Sequence, residues 1–306
     1  MWIKKRDQAL LSQALAEARS GRNLWQNAFL RFRHHKVAFL GFICLIIVIL
    51  FSFIVPYIAP HDYISTNWDQ VLQPPKIESG YWFGTDELGR DLLSRVAIGG
   101  RVSLLVGILG AVTAIFVGTV YGAVAGFFGG MIDSIMMRIV DILNAFPFMF
   151  FVIFLVTLFG RRIEFIFIAI GLFSWVEVAR IVRGQTLSLK QKEFVEAAYV
   201  SGSSKWQIIF YHIIPNLLGI VVTYASLLVP TMILLESFLS FLGLGVQEPL
   251  TSWGALLQEG AQNMQVAPWQ LVFPGLFLTI TLFSFNFIGD GLRDALDPKN
   301  NEGSCK

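Results

Sequence analysis

The sequence predicts an all-α fold: a polytopic integral membrane protein with six transmembrane helices. Composition is the first reason. Of 306 residues, 55% are hydrophobic and 14% charged, whereas a soluble domain carries about 25% charged residues. The mean hydropathy is +0.64. A series of apolar runs, each long enough to cross a bilayer, is the second reason. The third is a basic arm directly before the first run. Residues 1–36 hold eight Lys or Arg (Lys4, Lys5, Arg6, Arg19, Arg22, Arg31, Arg33, Lys36) and two acids, and the positive-inside rule puts such an arm in the cytoplasm. The arm is too long and too basic for a simple secretory leader, and no A-x-A cleavage pattern follows it. The net charge of +2 argues against a nucleic-acid binder.

About 20 apolar residues cross the hydrocarbon core of a bilayer. The runs are 37–60, 102–132, 142–160, 163–182, 213–235, and one within 260–289 that begins near Trp269. The fourth contains Glu164, Glu177 and Arg180 towards its ends. Six crossings from a cytoplasmic start return the C-terminus to the cytoplasm and put the connection between the fourth and fifth spans there too. Arg161 and Arg162 fall on the outer side, against the charge rule, whereas the outer stretch 246–268 has no Lys or Arg. The chain therefore divides into a basic cytoplasmic arm (1–36), a first transmembrane helix (37–60), an outer loop (61–101), a five-helix core (102–290) with a cytoplasmic loop at 183–215, and a cytoplasmic tail (291–306).

In the outer loop, Pro74-Pro75 stiffens the middle and Thr85 is placed to N-cap a short helix, with Asp86 and Glu87 at its positive end. Leu88, Leu92 and Val96 would give that helix a narrow apolar stripe, the mark of an interfacial helix. In the second span, Gly118, Gly122 and Gly126 form a small-xxx-small face that lets helices approach closely. Asn144, Phe146 and Pro147 predict a kinked entry to the third span, and Asp141 beside them reads as a surface charge. The fifth span carries Pro230, which permits a bend, and Glu236 at its outer end. Glu236 is a candidate gate or pore residue or, alternatively, an interfacial carboxylate capped by the backbone of the SFLS segment that follows.

The stretch from Glu193 to Pro215, EFVEAAYVSGSSKWQIIFYHIIP, is a polar island between apolar runs. Phe194 and Ala198 are four apart and predict one face of a short helix. Gly202 is suited to close it, and Ser203 or Ser204 to cap a second. There Trp206, Ile209, Phe210 and Ile213 predict a single apolar stripe, with Pro215 turning the chain back into the bilayer in a new direction. Physics alone gives a surface connector or a docking knuckle. Glu196-Ala197-Ala198, three residues, Gly202, nine residues and then His212-Ile213-Ile214-Pro215 resemble the EAA loop of ABC-transporter importer permeases. His212 and Ile214 depart from that family's usual Ile and Leu.

FGTDELGRDLLSRVAIGGRVSL resembles the start of the membrane domain in the dipeptide and oligopeptide branch of these permeases, and LWQNAFLRFRHHKVA its extra N-terminal segment. RIVRGQTLSL, SFLSFLGLG, SWGALL and FIGDGLRDALDP extend the similarity over nearly the whole chain, most closely to the C-type subunit of the oligopeptide branch. The resemblance implies an importer-type ABC permease fold in a bacterial inner membrane. It implies a homologous second permease subunit that completes the pore, a periplasmic peptide-binding protein that delivers substrate, and two ABC ATPase subunits that hold ATP and Mg. It implies that the ATPase docks on Glu196, Ala197, Ala198, Gly202, Trp206, Ile209, Phe210 and Pro215.

The absences fit a non-enzyme that binds no cofactor itself. There is no G-x-x-x-x-G-K-[ST] to cradle ATP, no H-E-x-x-H and no G-x-S-x-G. His34, His35, His61 and His212 are scattered, and Cys44 and Cys305 form neither a disulfide framework nor a metal site. The alternative is an ion-coupled secondary transporter or channel, which calls for ionisable groups near mid-membrane; Glu177 is the interior candidate. A membrane enzyme is a third reading, with no catalytic constellation behind it.

Overall fold

The computed structural model describes residues 32–33, 35–160 and 163–296. Most of the basic arm, Arg161, Arg162 and the end of the expected tail lie outside the described residues. Among these residues there are helices, two isolated bridges and no strand. The helices are α1 (Lys36–Ile58), α2 (Leu92–Phe128), α3 (Gly130–Ala145), α4 (Phe148–Phe159), α5 (Ile163–Leu189), α6 (Glu193–Val200), α7 (Lys205–Phe241), α8 (Trp253–Gln262) and α9 (Trp269–Leu296).

Among the described residues, α1, α2, α7 and α9 are long and apolar enough to cross a membrane, and α3 with α4 makes a fifth crossing if that pair is counted as one span. At 1.5 Å per residue, α2 and α7, each 37 residues, reach about 55 Å. That exceeds a whole bilayer of about 40–45 Å, so both protrude. Large apolar side chains stand outward along them and along α1, among them Leu40, Ile47, Leu109 and Phe116; in hydrocarbon that surface is satisfied rather than a liability.

The centre of the bundle is α2. The glycine face expected from the sequence is the seam where α5 lies along it. A Cβ on Gly118 would stand 2.6 Å from Val178 Cβ, one on Gly122 2.4 Å from the Ala179 carbonyl, and one on Gly126 2.8 Å from the Arg183 carbonyl. No side chain fits there, so the backbones approach closely. Helix α7 packs on another side of α2, α9 lies against α1 and α7, and the short α8 is wedged between α2, α7 and α9.

The structure corrects the expectations for the outer loop, for the end of the second span and for Pro215, and it bears out the kink at Phe146 and Pro147. The outer loop has no interfacial helix capped by Thr85. The Thr85 hydroxyl instead donates to the Gln70 carbonyl at 2.5 Å and accepts from the Gln73 N–H at 2.8 Å. The cap is Asp91, which accepts from the Ser94 N–H at 3.0 Å, and Leu92 and Val96 belong to the first turns of α2. The second span ends at Phe128, because Gly129 and Gly130, at φ 66° and 56°, turn the chain. The third is two helices meeting at 77°: Phe146 is extended ahead of Pro147, as the residue before a proline prefers to be. Finally, Pro215 does not interrupt the helix. The turns before it, Ile208–Ile213, are π-helical, and that wider winding makes room for a ring that would otherwise clash with the carbonyl four residues back. α7 therefore runs unbroken from the polar island into the bundle.

Candidate functional site

The island folds as a knuckle of two helices at one end of the bundle. Helix α6 ends at Val200 and Gly202 follows at φ 82°. The Ser203 N–H bonds to the Ala198 carbonyl at 3.1 Å and the Gly202 N–H to the Tyr199 carbonyl at 3.0 Å. This is the Schellman arrangement, which needs a left-handed residue at that position. Nothing lies within 4 Å of a Cβ built on Gly202, so the glycine is demanded by the backbone and not by packing. Ser204 then caps α7. Its hydroxyl accepts from the Gln207 N–H at 3.3 Å while the Gln207 side chain accepts from the Ser204 N–H at 2.8 Å, a capping box.

Burial sorts the expected docking residues into two groups. Glu196, Ala197, Gly202 and Pro215 are exposed, and so are Trp206 (53%) and Phe210 (47%). Ile209 and Ala198 are buried. The expected single stripe of Trp206, Ile209, Phe210 and Ile213 is thus divided. The π turns wind the chain more slowly than 3.6 residues per turn, so Ile208, Ile209 and Ile213 enter the core and leave Trp206 and Phe210 outside. In α6 the inward face is Val195 and Ala198, with Phe194 partly exposed. Ile209 and Ala198 support the knuckle from beneath; they do not form its surface.

The knuckle rests on the end of α2 through groups that no local spacing joins. Tyr199 stacks over Phe127 with centroids 6.1 Å apart, and Trp206 meets Phe128 edge-on at 5.5 Å and stacks with Phe210 at 6.2 Å. The Lys205 ammonium lies 5.7 Å from the Phe128 ring centroid. Lys190 donates to the Phe127 carbonyl at 2.6 Å, placing a cation at the negative end of α2. The only foresight available was local: a Lys or aromatic residue near a helix end.

At the opposite end, the loop before α2 and the segment around α8 form a cap around Asp86. Its carboxylate accepts from the Leu88 and Arg90 N–H groups, each at 2.9 Å, from Arg90 Nε at 2.6 Å and from Arg95 Nη1. Arg95 also forks onto Glu259 at 2.7 and 3.0 Å, and Arg90 reaches Glu248 at 2.7 Å. Burial opposes the Arg90 charge, but Asp86 and Glu248 outweigh it and hold the guanidinium above its usual pKa. Burial likewise pushes the Asp91 carboxyl up, partly offset by its bonds from Ser94.

Glu236 belongs to this cap end and not to an open path. It is 0% exposed. It accepts from Ser240 at 2.7 Å and Ser103 at 2.9 Å, and Ser103 accepts from the Trp253 N–H at 3.3 Å. The carboxylate thereby ties α7, α2 and the first turn of α8 together. The expected capping by SFLS comes from the Ser237 and Ser240 hydroxyls, not the backbone. Pro230 is buried inside α7, and the helix continues through it. Both residues are buried in this structure.

Residues 118–302 match the family described as binding-protein-dependent transport system inner membrane component. The chain belongs to that family. Residues 23–75 also match the N-terminal TM domain of oligopeptide transport permease C. The chain is 60% identical to the oligopeptide transport system permease protein OppC of Haemophilus influenzae, over 92% of this chain and 90% of that one. It is 58% identical to OppC of Escherichia coli K12, over 92% and 93%. The dipeptide transport system permease protein DppC of Bacillus subtilis is 42% identical, over 90% and 85%. This is a multi-pass inner-membrane permease subunit, not an enzyme.

Proposed function

We propose that this chain is the C-type membrane subunit of an ATP-driven importer of peptides, with oligopeptides as its cargo. The identity with the two OppC proteins, sustained over nine-tenths of every chain compared, carries this reading. In it the basic arm is cytoplasmic and the six spans are α1, α2, the bent α3–α4 pair, α5, α7 and α9. The cap then faces the periplasm, and the knuckle and both termini face the cytoplasm.

Glu196, Ala197, Gly202, Trp206 and Phe210 meet a groove on an ABC ATPase subunit. A homologous second permease subunit completes the pore and offers its own knuckle to a second ATPase. ATP and Mg stay on those partners, this chain holds no cofactor, and a periplasmic peptide-binding protein delivers the cargo to the cap. The continuity of α7 supplies the coupling. Its first turns belong to the knuckle, its middle carries Pro230, and its far end holds Glu236 beneath α8. A push on Trp206 and Phe210 is therefore a push on a continuous helix that ends in the cap.

The test is reconstitution of the full assembly in vesicles with its binding protein and a labelled tripeptide. Uptake is expected only with ATP on the ATPase side, and the isolated chain is expected to hydrolyse none. Uptake that follows an ion gradient without ATP would instead support the secondary-transporter reading, for which Glu177 offers little: its carboxylate is engaged by the Tyr224 hydroxyl.

A further inference from the structure

Helix α5 ends at Leu189 and α6 begins at Glu193, so the knuckle hangs from α5 by the turn 190–192. The backbone closes that turn: the N–H groups of Lys190, Gln191 and Lys192 donate to the carbonyls of Thr186, Ser188 and Leu189. The Lys190 side chain leaves it for a different helix. Its ammonium donates to the Phe127 carbonyl of α2 at 2.6 Å and stands 5.6 Å from the Phe127 ring centroid.

The glycine seam delivers the lysine there. A Cβ on Gly118 would meet Val178, one on Gly122 Val182, and one on Gly126 Thr186, at 2.6, 2.9 and 2.9 Å. Both numbers rise by four at each step, so α2 and α5 run in the same direction. The next step sets residue 130 against residue 190, and there α2 has already ended, turned aside by Gly129 and Gly130. The last carbonyls of a helix lack intrahelical partners and carry the negative end of its dipole. A lysine one turn beyond the seam answers both.

Two consecutive residues of α2 thereby hold every part of the knuckle. Phe127 holds the turn through its carbonyl and α6 through the stacked ring of Tyr199. Phe128 meets Lys205 and Trp206 at the start of α7. At its other end α2 is held just as firmly. Asp91 caps it, and Arg95 in its first turn bonds to Asp86 of the outer loop and to Glu259 of α8. Helix α2 therefore joins the knuckle to the cap independently of α7. Among these contacts the rings slide over one another at little cost, whereas a short hydrogen bond from a charged donor fixes a position.

We infer that Lys190 is a positioning residue: it fastens the knuckle to the end of α2, so that an ATPase displacing the knuckle moves the cap through α2 and α7 together and not through α7 alone. This rests on the docking reading above. Without the lysine the knuckle keeps its surface, but it pivots on the turn 190–192 instead of carrying α2 with it.

The experiment uses the whole assembly with its binding protein in vesicles. This chain carries Cys44→Ser, Cys305→Ser and an environment-sensitive fluorescent label on Glu78→Cys, an exposed position of the outer loop. Lys190→Met keeps a stem of similar length and removes the donor; Lys190→Arg returns one. The ATPase subunit is expected to co-purify with both variants, because Trp206 and Phe210 are untouched. On adding ATP, the change in the label's signal is expected to fall about tenfold in Lys190→Met, the scale of one hydrogen bond to a charged group, and to recover in Lys190→Arg. Tripeptide uptake per ATP hydrolysed is expected to follow the label. A parent-sized response in Lys190→Met would overturn the proposal, as would equal losses in both variants or a parent whose label does not answer ATP. Loss of the ATPase or of the permease itself in Lys190→Met would overturn it too, because the lysine would then build the docking surface or the fold. A parent that answers ATP at the label and takes up no tripeptide rejects the cargo and retains the coupling.

Discussion

The two ends of this bundle are built on opposite terms. At the cap, charge is buried and matched: Asp86 and Arg95 are each 1% exposed and bonded to one another and to their neighbours. At the knuckle, the interior is Val195, Ala198, Ile208, Ile209 and Ile213, while Trp206, Phe210 and Tyr211 stand in the open. The cap satisfies its own groups. The knuckle has sound backbone geometry, a Schellman turn and a capping box, but an unfinished surface. A buried network holds a shape, and an exposed aromatic patch on a rigid support receives a partner. Substitutions at the cap should therefore remove the protein, and substitutions at the knuckle should leave the protein and remove its work.

The largest effect is expected from Arg95→Ala. It leaves Glu259 without its arginine and Asp86 with Arg90 alone, and removing one member of a buried pair costs about 3–5 kcal/mol. Membrane abundance and the melting temperature in detergent should both fall sharply; an unchanged melting curve would show that the cap is not held by its charges. Next is Gly122→Leu on the α2–α5 seam, where overpacking costs about 1–3 kcal/mol. Gly110→Ala sharpens the point. A Cβ there meets only ordinary contacts, the nearest Ile170 Cγ2 at 3.6 Å, so it should melt like the parent. Equal losses at both positions would refute the close-approach account.

Gly202→Val is expected to act locally. Positive φ is strongly disfavoured for a β-branched residue, by about 1–2 kcal/mol, and no collision adds to it. Abundance should hold while uptake falls. Gly202→Asn, which tolerates the left-handed region, should restore most of it; equal loss in both would point to something other than backbone conformation.

The sequence made the seam and the knuckle's turn legible because both depend on local spacing: glycine every fourth residue, and glycine followed by serine after a short helix. It made the cap illegible because the cap's bonds are not local. Arg90 and Glu248 are 158 positions apart, and Arg95 and Glu259 are 164 apart. Thr85 resembles a helix cap because its neighbours are acidic, yet Asp86 serves Arg90 and Arg95, Glu87 accepts from Asn263, and the Thr85 hydroxyl serves the loop. The apolar stripe at 206–213 was misread for a different reason. A period of 3.6 was assumed where the helix is π-wound, and the change of winding moved Ile209 inward and left Trp206 outside. Pro147 signalled a kink, but nothing local fixed it at 77°.

The smallest effect on stability, and the most direct test of the account, is Trp206→Ala combined with Phe210→Ala. Both side chains are half exposed, so folding should lose little beyond the Trp206–Phe128 contact, about 0.5–1.5 kcal/mol. The measurement is the amount of ATPase subunit that co-purifies with the variant at matched membrane abundance. The account predicts at least a tenfold loss of ATPase, with the permease present at its normal level. Full retention of the ATPase, with normal peptide uptake, would contradict it.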